Sequence, residues 1–208
     1  GTAVLEVDGE VVRGGKKVYL MLNKPRGIVT SAADEKGRAT VYSLLADDVP
    51  WVAPVGRLDK ASEGLLLMTN DPQWAARIAD PDEGLSKTYH VQIGVVAEPE
   101  LLEKIQRGVR EPTGEVLRVK NASVVRSGGK NSWLEILLEE GKNRQIRRIM
   151  DALGVEVLRL IRIAIGPVEL GKLEKGKWRE LTEQEIAGLR GRDARVSITH
   201  RRGPEVRA

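Results

Sequence analysis

The sequence predicts an α+β fold with a mixed, mainly antiparallel central sheet and helices on its faces. Two observations predict it. Stretches with period-two alternation or short apolar runs outnumber stretches with helical spacing. The helical stretches do not follow every strand, as a regular βαβ winding would require, and several strands are separated only by hairpin-type turns.

Residues 2–9 alternate and meet Asp8-Gly9, which reads as a strand entering a hairpin. Residues 17–23 form a strand closed by Lys24-Pro25-Arg26-Gly27, a turn that Pro and Gly would make in any context. After a polar loop over 31–38, Thr40 caps a short helix over 41–45, with Val41, Leu44 and Leu45 at helical spacing. Residues 65–68 are a short apolar run bounded by Thr69-Asn70-Asp71-Pro72, a buried strand. Asp71 and Pro72 then open a helix to Ala79, with Trp74 and Ile78 four apart on its core face.

Residues 87–93 alternate, placing Tyr89, Val91 and Ile93 on an inward face and His90 on the surface. A helix starts near Pro99 and stops at Gly108. Residues 116–125 and 133–139 alternate around Ser127-Gly128-Gly129-Lys130-Asn131-Ser132, a hairpin. In the helix that follows, Ile146, Ile149, Met150 and Leu153 share one face; Arg144, Arg147, Arg148 and Asp151 share the other. Residues 155–165 read as a strand and 170–181 as a hairpin through Lys175-Gly176. Thr182-Glu183-Gln184-Glu185 is a capping box for a last helix ending near Leu189. The resulting organisation is a strand and linker over 1–16, a main domain over 17–190 and a flexible basic tail over 191–208.

Composition excludes several classes. With 41% hydrophobic and 31% charged residues the chain is globular, and no apolar run approaches the roughly 20 residues of a membrane span. The chain has no Cys, hence no disulfide or thiolate metal site, which is compatible with the cytoplasm. Two His make a conventional zinc site a poor fit, and we expect no metal. A net charge of +4 matters only where it clusters, and it clusters in Glu140-Gly-Lys-Asn-Arg-Gln-Ile-Arg-Arg-Ile-Met150. Aromatics at 3%, with no Phe, argue against a platform that stacks several bases.

The chemistry-bearing stretch is Val55-Gly-Arg57-Leu-Asp59-Lys-Ala-Ser62-Glu63-Gly64, a turn ahead of the apolar run. It clamps one carboxylate, Asp59, in a loop between rigid elements, with Arg57 close by. Alone, that is equally an ordinary surface pair.

Four motifs in order narrow the choice: Gly56-Arg-Leu-Asp59, Lys87-Thr-Tyr89-His-Val91, Gly141-Lys-Asn-Arg-Gln-Ile-Arg-Arg148 and Leu160-Ile-Arg162-Ile-Ala-Ile-Gly166. With them the chain, from about residue 18 to 189, resembles RNA pseudouridine synthases, most closely the RsuA/RluB/RluE/RluF branch that modifies bacterial ribosomal RNA. The resemblance implies a sheet cleft between two subdomains and, in relatives, an S4 RNA-binding module ahead of the catalytic domain; residues 1–16 would be the strand and linker that follow it, the chain being either a fragment or a member of a shorter lineage.

It also implies roles. Asp59 would be the catalytic carboxylate, Arg147 the guanidinium paired with it, and Tyr89 the residue stacked on a flipped uracil. Leu160 would pack against the base, although ordinary sheet core explains it equally well. Arg57 would fill the space the base vacates or bind a phosphate, and Arg144 would contact Asp59 or RNA. Lys24, Arg26, Lys142, Arg148 and Arg162 would be phosphate contacts. The expected activity is isomerisation of a uridine in 23S ribosomal RNA, with 16S ribosomal RNA and tRNA as alternative substrates, by a cytoplasmic monomer without a cofactor. Two other classes compete: a non-catalytic ribosomal RNA binder, and a glycoside hydrolase pairing Asp59 with Glu63.

Overall fold

The structure is a computed structural model that describes residues 4–7, 10–13, 15–31 and 36–190. The expected basic tail over 191–208 lies outside the described residues, as does part of the polar loop over 31–38.

A hairpin of β1 (Val4–Val7) and β2 (Glu10–Arg13) precedes the main body. Then come β3 (Tyr19–Lys24), a 3-10 turn (Val41–Leu44), β4 (Ala53–Val55), β5 (Glu63–Thr69) and helix α1 (Pro72–Ala79). After a second 3-10 turn (Pro81–Glu83), β6 (Lys87–Ile93), α2 (Pro99–Arg107), β7 (Val109–Arg110), β8 (Val116–Leu117), β9 (Asn121–Ser127) and β10 (Ser132–Leu138) follow. The chain continues through α3 (Gln145–Ala152), β11 (Val157–Ile165), β12 (Val168–Glu169), β13 (Trp178–Glu180) and α4 (Glu183–Gly188).

Nine strands form one sheet with the path β13-β3-β5-β11-β6-β10-β9, β4 pairing with β5 and β12 with β11. Every pairing in it is antiparallel except β5 with β11, where Ile161 lies opposite Glu63 and Arg162 opposite Gly64. This parallel seam joins two halves. Gly64 makes the seam possible: its φ is +106°, and a Cβ there would sit 2.2 Å from the Arg162 carbonyl oxygen.

Each half has its own core. β5 is buried along its whole length because both its faces are covered. Leu65 and Leu67 pack with Trp74 and Ile78 of α1, whereas Leu66 and Met68 pack with Val41, Val52 and Leu58 on the opposite face. Across the seam, Val91 and Ile93 of β6, Leu134 and Ile136 of β10 and Leu160 of β11 pack against Ile105 of α2 and Ile146, Ile149 and Met150 of α3.

Most expected elements are present, including the Asp71 cap, whose carboxylate accepts from the Trp74 N–H, and the Thr182/Glu185 capping box. Three differ. The strand over 116–125 is two strands: β8 pairs with β7 and β9 with β10, as the chain crosses between sheets. The hairpin over 170–181 does not form; β12 turns back on β11, and β13 crosses to pair with β3 at the far edge. Thr40 occupies the cap position of a 3-10 turn without a capping bond from its side chain, its carbonyl instead accepting from the Ser43 hydroxyl at 2.7 Å. No helix among the described residues is long and apolar enough to cross a membrane.

Candidate active site

A cleft of about 380 Å³ opens over the seam, a volume suited to a small-molecule-sized group. The loop ahead of β5 forms one wall and the inward faces of β6 and β11 the other, with the 141–147 segment closing over them. Asp59, Arg57, Tyr89, Leu160, Arg144 and Arg147 all line it, so the chain brings together residues more than a hundred positions apart.

The Asp59 loop is fixed from beneath. The Ser62 N–H donates to the Asp59 carbonyl at 2.9 Å, closing a tight turn. Thr30, buried, donates its hydroxyl to the Leu58 carbonyl at 2.7 Å. The Lys24 ammonium, with no exposed surface, donates to the carbonyls of Ser62 at 2.6 Å, Pro25 at 3.1 Å and Lys60 at 3.3 Å. Burial outweighs attraction to Glu63 and Asp59 and brings this ammonium down to about 8. Lys24, expected as a phosphate contact, is therefore a brace for the loop, since its three donors are already used inside the protein.

Arg147, expected to pair with Asp59, does not bond to it; Arg144, expected to contact Asp59 or RNA, does. Arg144 Nη1 donates to Asp59 Oδ2 at 2.7 Å, whereas Arg147 Nη2 donates to the Ser62 hydroxyl at 3.1 Å. The cause is local. Arg144 is the N-cap of α3 with φ of +51°, and it is the one non-glycine residue with positive φ among the described residues. Such strain costs of order 1–3 kcal/mol and turns the side chain across the cleft rather than along the helix. Gln145, buried, holds the same turn by donating to the Arg118 carbonyl at 2.7 Å, while its Oε1 accepts from the Lys142 N–H at 3.2 Å.

The Asp59–Arg144 pair remains partly open to solvent, with side chains 29% and 50% exposed, so it contributes orientation more than stability. Asp59 Oδ1 accepts no hydrogen bond among the described residues and is free to face a ligand. Arg147 is half-buried, and its Nε is enclosed without a partner. Burial, then repulsion from Arg144, outweighs the attraction of Asp59 and holds its guanidinium below the usual value.

Tyr89 and Arg162 lie directly opposite each other on β6 and β11, one step before a bulge that shifts the register. Tyr89 is partly buried against the neighbouring core, and Leu160 is both core and cleft wall. Of the other expected phosphate contacts, Arg26 and Arg57 are exposed, and Lys142 pairs with Glu115 at 3.1 Å. Arg148 is committed to Glu111 and Glu115 on the far side of α3, and Arg162 is 5% exposed and donates from Nε to the Leu65 carbonyl at 2.8 Å. Neither is a surface phosphate contact in this arrangement.

Glu63 points away from the cleft. Burial pushes its carboxyl up, but bonds from Arg159 at 2.8 and 3.1 Å and an ion pair with Lys175 at 2.9 Å prevail and hold it below its ordinary value. An ion-paired carboxylate outside the cleft cannot act as the acid of a glycosidase pair with Asp59. Thr30, Ser62 and Gln145 were not singled out from the sequence, since each acts through a contact distant in the chain; nor was Lys87, although its place two residues before Tyr89 on the same face was legible.

The family model for RNA pseudouridylate synthase matches residues 18–152. An uncharacterized RNA pseudouridine synthase of Aquifex aeolicus is 41% identical over 187 residues, which span 89% of this chain and 75% of that protein. The ribosomal large subunit pseudouridine synthase B of Bacillus subtilis is 36% identical, over 91% of this chain and 78% of that protein. Among solved structures, a pseudouridylate synthase superposes with a TM-score of 0.71 at 33% identity, covering 86% of this chain and 76% of that one. With the four motifs gathered on one cleft and relatives this similar along most of its length, the chain belongs to the RNA pseudouridine synthase family, in the branch that includes the large-subunit synthase B enzymes.

Proposed function

We propose that this enzyme isomerises one uridine of 23S ribosomal RNA to pseudouridine in the cytoplasm, acting through residues 17–190 as its catalytic unit. The observation that carries the reading is the free Oδ1 of Asp59 beside an Arg144-held Oδ2, facing a slot bounded by Tyr89 and Leu160. The similarity to the large-subunit enzyme of Bacillus subtilis supports the choice of RNA.

The target base cannot react inside an RNA stack, so the nucleotide swings out into the cleft at a cost of a few kcal/mol. Tyr89 offers its ring face to the base and Leu160 an apolar wall. The Asp59 carboxylate then assists breakage of the N1–C1′ bond. In the direct route a carboxylate oxygen bonds to C1′ and the electron pair stays on uracil N1. In the glycal route the carboxylate instead removes the 2′ proton. The base then turns: in the direct route C5 displaces the carboxylate oxygen from C1′, and in the glycal route C5 adds to C1′ as C2′ regains its proton; C5 then loses its proton and N1 gains one. The product is an isomer, so no electrons and no group leave the substrate overall.

Arg144 holds the attacking carboxylate in direction, and Arg147 supplies positive charge behind it. Arg26, Arg57 and Lys142 at the rim attract the phosphates on either side of the flipped nucleotide. Unmodified transcripts of 23S and 16S ribosomal RNA and tRNA, incubated with the protein and read by carbodiimide-dependent primer extension, test the substrate. One new stop in 23S RNA is expected; modification confined to 16S RNA or tRNA overturns the choice.

A further inference from the structure

The cleft is strongly asymmetric in charge. Among the described residues, six cationic side chains line it and one carboxylate, Asp59. Four of the six have an assigned part at the rim or beside Asp59; Lys87 and Arg162 do not. They sit on the two strands that carry the base slot, Lys87 two residues from Tyr89 and Arg162 two residues from Leu160, on the same inward faces.

Neither has an anionic partner among the described residues. Arg162 is buried and spends only its Nε–H, on the Leu65 carbonyl; Nη2 is enclosed with no partner. The Lys87 ammonium makes no hydrogen bond or ion pair among the described residues and lies against Gly141 of the opposite wall, where a Cβ would be 3.5 Å away. Burying unpaired donors is costly, and two like charges side by side raise the cost. Burial, and then Arg162, hold the Lys87 ammonium below its usual value, which places the two cations within electrostatic reach of each other. Two cations left without a protein anion on the walls of one slot fit a ligand that brings acceptors to them.

We propose that Lys87 and Arg162 read the polar edge of the flipped uracil, donating to its two carbonyl oxygens. This rests on the reading that the base lies between Tyr89 and Leu160 beside Asp59. The chemistry of the isomerisation favours a donor-only site. Turning uracil about the N3–C6 axis exchanges N1 with C5, and it exchanges O2 with O4 at the same time. Two cationic donors meet two acceptors both before and after the turn. Cytosine carries an amine at C4, so one donor would face another donor in either orientation, and it is rejected. While the base is detached its negative charge spreads over the same two oxygens, and the cations stabilise it there.

The test uses the full chain, the mapped RNA site in a short oligoribonucleotide, and single-turnover kinetics at saturating RNA. Lys87→Met and Arg162→Gln are expected to lower turnover about a hundredfold with RNA affinity within threefold of wild type. Lys87→Arg should recover most of the loss, which a purely structural role for the stem would not require. A thiocarbonyl in place of the target O2 or O4 should slow wild type, and the same substitution should slow Lys87→Met less, because the contact is already gone. Should Arg162→Gln lose its fold through the freed Leu65 carbonyl, Lys87→Met still decides. Wild-type turnover in Lys87→Met, or thio and side-chain losses that simply multiply, overturns the inference. An active Asp59→Asn in the same assay overturns the reading of the slot itself, and the inference with it.

Discussion

At the scale of single residues, Lys24 and Arg147 take parts other than those their positions suggested. Lys24 sits in a turn that reads as surface, yet its ammonium is enclosed and satisfied by three carbonyls, two of them in the Asp59 loop. Lys24→Met is therefore expected to cost about 2–4 kcal/mol of stability, the range for orphaning buried polar groups, measured as a lower denaturation midpoint at unchanged slope. A phosphate contact would instead weaken RNA binding and leave the midpoint alone. Arg144 and Arg147 differ in the same way. Arg144→Ala removes the direct bond to Asp59 and should lower turnover about a hundredfold at saturating RNA, the usual loss for one oriented donor. Retention of full turnover would make the bond incidental. The sequence marked both arginines, but it could not order them, because the choice depends on a left-handed φ at position 144 that no propensity favours for Arg.

At the scale of elements, the seam between β5 and β11 positions the two walls of the cleft, and it depends on the absence of a side chain at position 64. Gly64→Ala would need a Cβ 2.2 Å from the Arg162 carbonyl on a backbone at φ +106°. The strands must part, and a loss of roughly 2–4 kcal/mol with a drop in activity is expected, read by thermal or urea unfolding and by turnover. The buried run over 65–68 and the alternation over 87–93 were legible because their periods follow from two covered faces and one. The broken strand over 116–127 and the crossing of β13 were not, because strand pairing partners are chosen by the whole sheet and not by local pattern.

The last helix offers a pH test of its cap. Two bonds from Arg179, at 2.7 and 2.9 Å, outweigh burial and, with the Thr182 contacts, hold the Glu185 carboxyl down at about 2. Its folded value lies below its unfolded one, so the stabilisation is complete above the ordinary glutamate range and is lost as pH falls from there toward 2. The stability difference between wild type and Glu185→Gln should be constant near neutrality and shrink below about pH 4. A difference that grows on acidification would contradict the assignment.

For the whole molecule, a net charge of +4 is modest, and among the described residues the cleft concentrates positive charge, six cations lining it against one carboxylate. RNA affinity should fall linearly with the logarithm of salt, and Arg57→Ala should reduce the slope by about one while weakening all sequences alike. A slope unchanged by that substitution would place Arg57 away from the phosphates. The fold class could be read from the number and spacing of strand-like stretches, and the meeting of the Asp59 and Arg147 segments at one cleft was implied by the resemblance that four motifs in order carry. The braces beneath them could not, since Thr30, Ser62 and Gln145 are ordinary polar residues until long-range contacts give them a task. The account is tested most directly by Asp59→Asn, assayed for pseudouridine in ribosomal RNA alongside RNA affinity and unfolding. It predicts no detectable product, with affinity and stability close to wild type; substantial turnover by that variant would contradict it.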